Sequence, residues 1–225
     1  AVVTLYDNIT LTSGITMNVG GSASTIGEGY LFSNILIDFN GFTVTYGGSG
    51  TDPSIYFLPS TTTSKTLNLI NGSLKRTTGA APALAASTGS ANLIMSNMYI
   101  SSSISHGVYI QIENSIDGFA NFGNSVFESS GSGHGLYIEK YSAKSFTGIS
   151  GGGSAVSGIY CANNNFSITS TVKLTDFTAI NTGSNSSDHA INLDGDWDLS
   201  NFHAKSNSGN ALNIGSEFEG SCTRF

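Results

Sequence analysis

The sequence predicts an all-β, single-domain solenoid of stacked parallel strands, and two rows of recurring residues carry that prediction. The first row is His134-Gly135-Leu136-Tyr137-Ile138 with its edited copies. His106-Gly107-Val108-Tyr109-Ile110 lies upstream. Ser157-Gly158-Ile159-Tyr160-Cys161, His189-Ala190-Ile191-Asn192-Leu193 and Asn210-Ala211-Leu212-Asn213-Ile214 lie downstream. The apolar leads Val108, Leu136, Ile159, Ile191 and Leu212 are 28, 23, 32 and 21 residues apart. One recurring strand separated by bends of unequal length is the pattern of a solenoid. The second row reads apolar, any, Asn, any, any, apolar. Its copies are Leu69-Asn71-Leu74, Met95-Asn97-Ile100, Phe122-Asn124-Phe127, Leu174-Asp176-Ala179 and Leu199-Asn201-Ala204, with a weaker one at Phe146-Gly148-Gly151. Asn, Asp and Gly tolerate the left-handed backbone of a tight bend.

Residues 1–30 alternate apolar and polar residues at Val2-Val3-Thr4-Leu5, Ile9-Thr10-Leu11 and Ile15-Thr16-Met17-Asn18-Val19. Period two predicts strands. Neither row is in phase here, so this segment is expected to be an N-terminal cap coil. The regular part is expected over 31–215. It opens on Ile35 to Phe39, an Asn40-Gly41 bend and Phe42-Thr43-Val44, and Ser54-Ile55-Tyr56-Phe57 then matches the first row. Residues 67–92 repeat the scheme through Asn71-Gly72 and Ala83-Leu84-Ala85. Both rows recur from Leu93 to Ile214. Gly/Ser segments between them, such as Gly151-Gly152-Gly153-Ser154, are surface bends. Residues 216–225 fall outside the repeat and are expected to form a C-terminal tail or cap.

A propeller blade needs about 40 residues, more than this period allows. A sandwich gives no reason for Asn once per period. A parallel β-helix of about seven coils explains both rows. Val108, Leu136, Ile159, Ile191 and Leu212 become one inward ladder, and Ile110, Ile138, Cys161, Leu193 and Ile214 another. Asn71, Asn97, Asn124, Asp176 and Asn201 become a corner ladder able to hydrogen-bond along the stack.

The Asn71/Asn97/Asn124/Asp176/Asn201 row and the strands at Val108, Leu136 and Ile159 resemble the right-handed parallel β-helix superfamily, the pectate-lyase-like fold. The resemblance covers about residues 31–215 and implies a right-handed winding. That superfamily includes polysaccharide lyases and hydrolases, phage tailspikes, adhesins and non-catalytic surface proteins. The chain looks most like the last type.

Bulk composition narrows the function. Gly is abundant at 28, Pro scarce at 3, and charged residues make up only 10%, against roughly a quarter in ordinary soluble proteins. Net charge is −7 and the 8 basic residues are scattered singly, so a nucleic-acid partner is not expected. No apolar run approaches the length of a membrane span. The chain begins at Ala1, as a mature secreted protein does after signal removal, and an extracellular or cell-surface location is the expectation.

Candidate chemistry is sparse. Lyase chemistry would need carboxylates around Ca²⁺ and a basic proton acceptor, but Arg76 and Arg224 are the only arginines. Hydrolase chemistry needs paired carboxylates, and no Asp lies beside His106 or His134. Asp194, Asp196 and Asp198, at a spacing of two, would share one face of a strand and could hold Ca²⁺; the plainer alternative is a polar bend between coils. His106, His134 and His189 occupy one place in their coils. The rings of His106 and His134 should lie about 5 Å apart, one strand spacing. They could form a two-His site or simply open their strands. No other cofactor is expected.

Tyr56, Tyr109, Tyr137 and Tyr160 form an outward row that could contact sugars or a neighbouring subunit, or stack on itself. Cys161 takes a core place in the repeat. Cys222 lies beyond it, about 10 Å away at two strand spacings, too far for a disulfide without a folded-back tail. Cys222 could form an intermolecular bond; the plainer alternative is a free thiol. Asn8, Asn71, Asn165 and Asn185 begin Asn-X-Ser/Thr sequons, with Asn71 the poorest acceptor because the ladder occupies it.

These features predict a non-catalytic extracellular structural subunit (a sheath, filament, surface-layer or adhesin type) that self-associates into a homo-oligomer or polymer. The alternative is a β-helix that binds or degrades polysaccharide. An ice-binding surface would need a regular Thr array, and Thr here is scattered.

Overall fold

The computed structural model describes residues 2–19, 34–59, 65–88, 91–112, 119–123, 125–131, 133–140, 145–147, 157–163, 172–181, 189–194, 197–215 and 221–223. Among the described residues there are strands and no helix, so no helix is long and apolar enough to cross a membrane. The strands are β1 (Val2–Thr4), β2 (Ile9–Leu11), β3 (Ile15–Val19), β4 (Asn34–Asp38), β5 (Thr43–Tyr46), β6 (Ile55–Pro59), β7 (Lys65–Arg76), β8 (Leu84–Thr88), β9 (Ala91–Ser102) and β10 (Val108–Ile112). They continue as β11 (Phe119–Asn121), β12 (Val126–Ser129), β13 (His134–Lys140), β14 (Ser145–Thr147), β15 (Ser157–Asn163), β16 (Val172–Asn181), β17 (Ile191–Leu193), β18 (Trp197–Ser206), β19 (Leu212–Ile214) and β20 (Ser221–Thr223).

The strands form three all-parallel sheets. The first has nine strands in the order β1-β4-β7-β9-β11-β14, with β5 pairing β7 and β2, and β12 pairing β9. The second has eight, in the order β3-β6-β8-β10-β13-β15-β17-β19, and the third is β16-β18-β20. From β5 onward the chain alternates between the second sheet and one of the other two, β11 and β12 together making one pass through the first. Strand β14 lies against β16, which places the third sheet next to the first.

The apolar rows are columns in register. Val108 pairs with Leu136, Leu136 with Ile159, Ile159 with Ile191 and Ile191 with Leu212. Ile110, Ile138, Cys161, Leu193 and Ile214 run parallel to them. Alternate residues of a strand face opposite ways, and Val108, Ile110, Leu136, Ile138, Ile191 and Leu193 are all buried. In the first sheet Leu69 pairs Met95, and Leu74, Ile100 and Phe127 form a second column. Leu174–Leu199 and Ala179–Ala204 do the same in the third.

The column in the second sheet extends further than the sequence pattern shows. Val108 also pairs Leu84, Leu84 pairs Ile55, and Ile55 pairs Ile15. Residues of the expected cap coil are thus in phase, and the sheet has eight strands rather than about seven. The first row is half hidden here: Ser13-Gly14-Ile15 repeats Ser157-Gly158-Ile159, but Thr16 stands where later copies carry Tyr. The weak copy at Phe146 is a correction. Phe146 pairs Ala120, not Phe122, so it stands two residues out of the proposed phase; Gly148 and Gly151 lie outside the described residues. At the other end, Cys222 pairs Leu199 within β20, so the stretch beyond the repeat also contributes a strand.

The Asn row is a corner. Asn71, Asn97 and Asn201 have φ of 60°, 55° and 51°, and Asn40 has 50°. Asn71 and Asn97 face each other between the pairs Ile70–Ser96 and Gly72–Met98, and the ladder skips them. A left-handed residue turns the chain without ending the strand. Gly72 follows because a Cβ there would meet the Cβ of Phe39 at 2.3 Å. Asn97 Nδ2 donates to Asn71 Oδ1 at 3.2 Å, and Asn71 Nδ2 donates to Asp38 Oδ1 at 3.3 Å. Asp176 lies opposite Asn201, between the pairs Thr175–Ser200 and Phe177–Phe202. Asn124 lies outside the described residues.

Candidate functional site

One row of the second sheet runs in register through Tyr56, Ala85, Tyr109, Tyr137, Tyr160, Asn192 and Asn213; Tyr56, Tyr109, Tyr137, Asn192 and Asn213 are half-buried and Ala85 is buried. Tyr109 and Tyr137 stack with ring centroids 5.4 Å apart and planes 23° from parallel. The Tyr109 hydroxyl donates to the Glu139 carboxylate one coil on. Further along, Asn213 Nδ2 donates to Asn192 Oδ1 at 2.9 Å, so the row changes from aromatic rungs to amide rungs.

Ala85 breaks the aromatic row. A cleft of about 380 Å³ is lined by Thr51, Pro53, Tyr56, Pro82, His106 and Tyr109, with buried Ala85 at its floor. That volume falls at the lower end of small-ligand sites.

The histidines belong to the same face. His106 and His134 stack with centroids 5.2 Å apart, as one strand spacing requires, and Tyr137 lies 4.8 Å from His106 and 5.6 Å from His134. The His134 backbone N–H donates to His106 Nδ1 at 3.0 Å. Desolvation by burial pulls the His106 pKa down to about 4. The ring is therefore neutral at pH 7, accepting at Nδ1 and carrying its proton on Nε2. His189 repeats the device: its Nδ1 accepts from the Asn210 N–H at 3.1 Å. A histidine opening a strand thus binds the backbone of the next coil, which accounts for the recurrence of His at this place and takes Nδ1 of His106 away from any metal.

Arg76 builds the cleft wall from behind. It is buried at the end of β7, with its guanidinium 4.2 Å above the Tyr46 ring. Nη1 donates to the Asp52 carbonyl at 2.7 Å and Nη2 to the Gly50 carbonyl at 2.8 Å. These bonds clamp the 47–54 loop that carries Thr51 and Pro53. Burial lowers the Arg76 pKa, opposed by Tyr46 and Asp52. The residue is a structural clamp.

The acidic set does not assemble as its spacing suggests. Asp194 follows β17 and Asp198 lies in β18, so the two are not on one strand face; Asp196 lies outside the described residues. The Asp194 carbonyl accepts the Trp197 Nε1–H at 2.7 Å, which fixes the bend between β17 and β18. No group of three or more His, Cys, Asp or Glu side chains is placed to hold a metal ion among the described residues. Asn8 is engaged, its Oδ1 accepting the Thr43 N–H at 2.8 Å, and both amide atoms of Asn71 are taken by the corner ladder. Asn165, Asn185 and Arg224 lie outside the described residues. Cys161 and Cys222 stand in different sheets, in register with Ile138 and with Leu199.

Two features escape the sequence reading. One is the role of Ala85, which looks like a poor copy of the first row and forms the floor of the cleft. The other is a polar column five residues after the Asn row: Arg76, Ser102, Ser129, Asn181 and Ser206, in register within their sheets and, for the first four, buried. Ser102 Oγ accepts the N–H groups of Ile104 and Ser105, and Ser129 Oγ donates to the Ser105 carbonyl. Ser102 thus satisfies the bend that follows its own strand, and Ser129 binds that same bend from the next coil. The constant offset of five was the available signal.

Comparison of the chain with protein-family models, with curated proteins and with solved structures finds no match.

Proposed function

We propose that this chain is a non-catalytic extracellular structural subunit that self-associates through a right-handed parallel β-helix. The unbroken column from Ile15 to Leu212 across eight parallel strands carries the reading. Alternation of the chain between sheets is what a winding chain produces, and parallel crossovers are right-handed in the great majority of proteins. A column of this kind is stiff along its axis and repeats its contacts, as a scaffold must.

Two further observations support assembly. The outer strands β1, β2 and β3 expose Val2, Val3, Ile9 and Ile15, and β19 exposes Ile214. Edge strands with apolar side chains favour pairing with another chain. Arg76 and His106, the groups most readily recruited for catalysis, are instead held in structural contacts. Cys222 in β20, at the edge of the third sheet, is where a second copy would form a disulfide.

Electron microscopy and sedimentation of the purified chain at rising concentration, with and without reductant, test this. Ordered fibres, sheets or rings are expected, loosened by reductant if Cys222 joins the copies. A strictly monomeric species at high concentration contradicts it.

A further inference from the structure

We propose that the two ends of the second sheet are complementary, and that β19 of one copy pairs in parallel with β3 of the next to build a polar, head-to-tail filament. This contact rests on the self-association proposed above and gives it a direction and a register.

Hydrogen bonding supplies the first argument. The leads of the column donate their N–H groups to the carbonyl just before the next lead. Ile15 donates to Ser54, Ile55 to Ala83, Leu84 to Gly107 and Ile191 to Ala211, at 2.9 to 3.1 Å. Leu212 is the last lead. Gly215 of the same strand end donates back to Leu193, and alternate residues of a parallel strand bond to the same side, so the Leu212 N–H is directed outward. Among the described residues no strand pairs the outer edge of β19 or of β3. The acceptor that continues the series is the carbonyl of Gly14, which precedes the first lead, Ile15. A second copy set one strand spacing further on offers Leu212 the group that the earlier leads already bind.

The apolar columns supply the second argument. Ile55, Leu84, Val108, Leu136 and Ile191 are all 3% exposed or less, whereas Ile15, at the start of their column, is 40% exposed. In the neighbouring column Ile138 and Leu193 are fully buried and Ile214, at its end, is 47% exposed. Stacking in phase closes both columns and removes the open edges.

The other faces end at matching places. Strand β1 pairs β4 over Leu36 to Asp38, just before the Asn40 corner. Strand β20 pairs β18 over Asp198 to Ser200, just before the Asn201 corner. One stacking step therefore brings β1 over β20 as it brings β3 over β19. The contact joins two different surfaces and advances along the axis, so it propagates as an open filament and does not close into a ring.

The test begins from the full chain with Cys161 and Cys222 replaced by Ser. Thr16→Cys and Asn213→Cys are made separately; both positions belong to the row of Tyr56. Across the proposed contact they lie one strand spacing apart, about 4.8 Å. A short bismaleimide added to an equal mixture is expected to give 16–213 links, identified by peptide mass spectrometry, and no links in either variant alone. Electron microscopy of parent filaments is expected to show an axial rise of eight strand spacings per subunit, about 38 Å. Thr16→Pro removes an outward N–H from β3 and spares the ladder to β6, because the Ile15 N–H is the one that bonds Ser54. It should raise the concentration needed for assembly at least about tenfold. Links of the 16–16 or 213–213 type, filaments with another axial rise, or undiminished assembly of Thr16→Pro overturn this contact and leave self-association standing. If Thr16→Pro fails to fold, the links and the axial rise decide. A strictly monomeric chain overturns self-association itself, and this contact with it.

Discussion

The Asn97 side-chain amide donates to the Asn71 side-chain carbonyl at 3.2 Å, and both residues hold left-handed backbones. Conformation and hydrogen bonding can be separated by substitution. Asn97→Gly keeps the conformation at no steric cost and loses only an exposed hydrogen bond, so it should cost about 0.5 kcal/mol. Asn97→Ala also forces a Cβ into the left-handed region and should cost about 2 kcal/mol. Urea unfolding of both variants checks the order. Equal losses would remove the conformational account of the corner.

Arg76→Met removes the clamp on the 47–54 loop while keeping most of the buried stem. The carbonyls of Gly50 and Asp52 lose their donor, and the stack on Tyr46 is lost. A destabilisation of about 2 kcal/mol is expected. Hydrogen exchange should accelerate first at residues 47–54, ahead of β7 itself. Uniform acceleration through the sheet would show that Arg76 stabilises the stack and not the loop.

His106 makes stability depend on pH with a defined sign. The unfolded chain takes up this proton near pH 6.5, the folded chain only near 4. Between those values the unfolded state binds more protons, so stability falls as pH falls from about 6.5 to 4, by about 3 kcal/mol. Above 6.5 this group adds no slope. His106→Asn, the residue that fills the equivalent place at 210, should flatten the fall relative to the parent when unfolding is followed across that window. An unchanged slope would mean that the ring is charged in the folded state.

The columns predict a contrast within one strand. Leu136 is fully buried and Tyr137 half-buried on the opposite face. Leu136→Ala should cost about 3 kcal/mol, from lost burial and the cavity left behind. Tyr137→Ala should cost about 1 kcal/mol, the value of a stacked pair. Thermal unfolding of the two variants measures the difference.

Much of this architecture was legible in the residues themselves. A strand repeated with Gly, an apolar lead and Tyr revealed the column from Val108 to Leu212, because stacked positions face the same neighbours and keep the same chemistry. The Asn corner was legible for the same reason: few residues accept positive φ. The rest was hidden by bends of variable length, which break phase without breaking register. Ile15 joins the column with the marker Gly14 before it but Thr16 in place of the Tyr. Phe146 imitates the row and stands two residues away from it. The cleft was illegible for a different reason. A small residue at the floor of a cleft leaves no mark in a sequence until Tyr56 and Tyr109 are known to flank Ala85.

The vertical registry itself can be measured directly. Positions 56 and 213 are joined by six successive strand pairings through Ala85, Tyr109, Tyr137, Tyr160 and Asn192. Their Cα atoms should therefore lie about 29 Å apart. Spin labels on Tyr56→Cys and Asn213→Cys, with Cys161 and Cys222 replaced by Ser, read that distance by pulsed electron paramagnetic resonance. A single narrow distribution centred within a few ångströms of that value is expected, allowing for label length. A broad distribution, or a centre far from it, would contradict the stacking on which the rest stands.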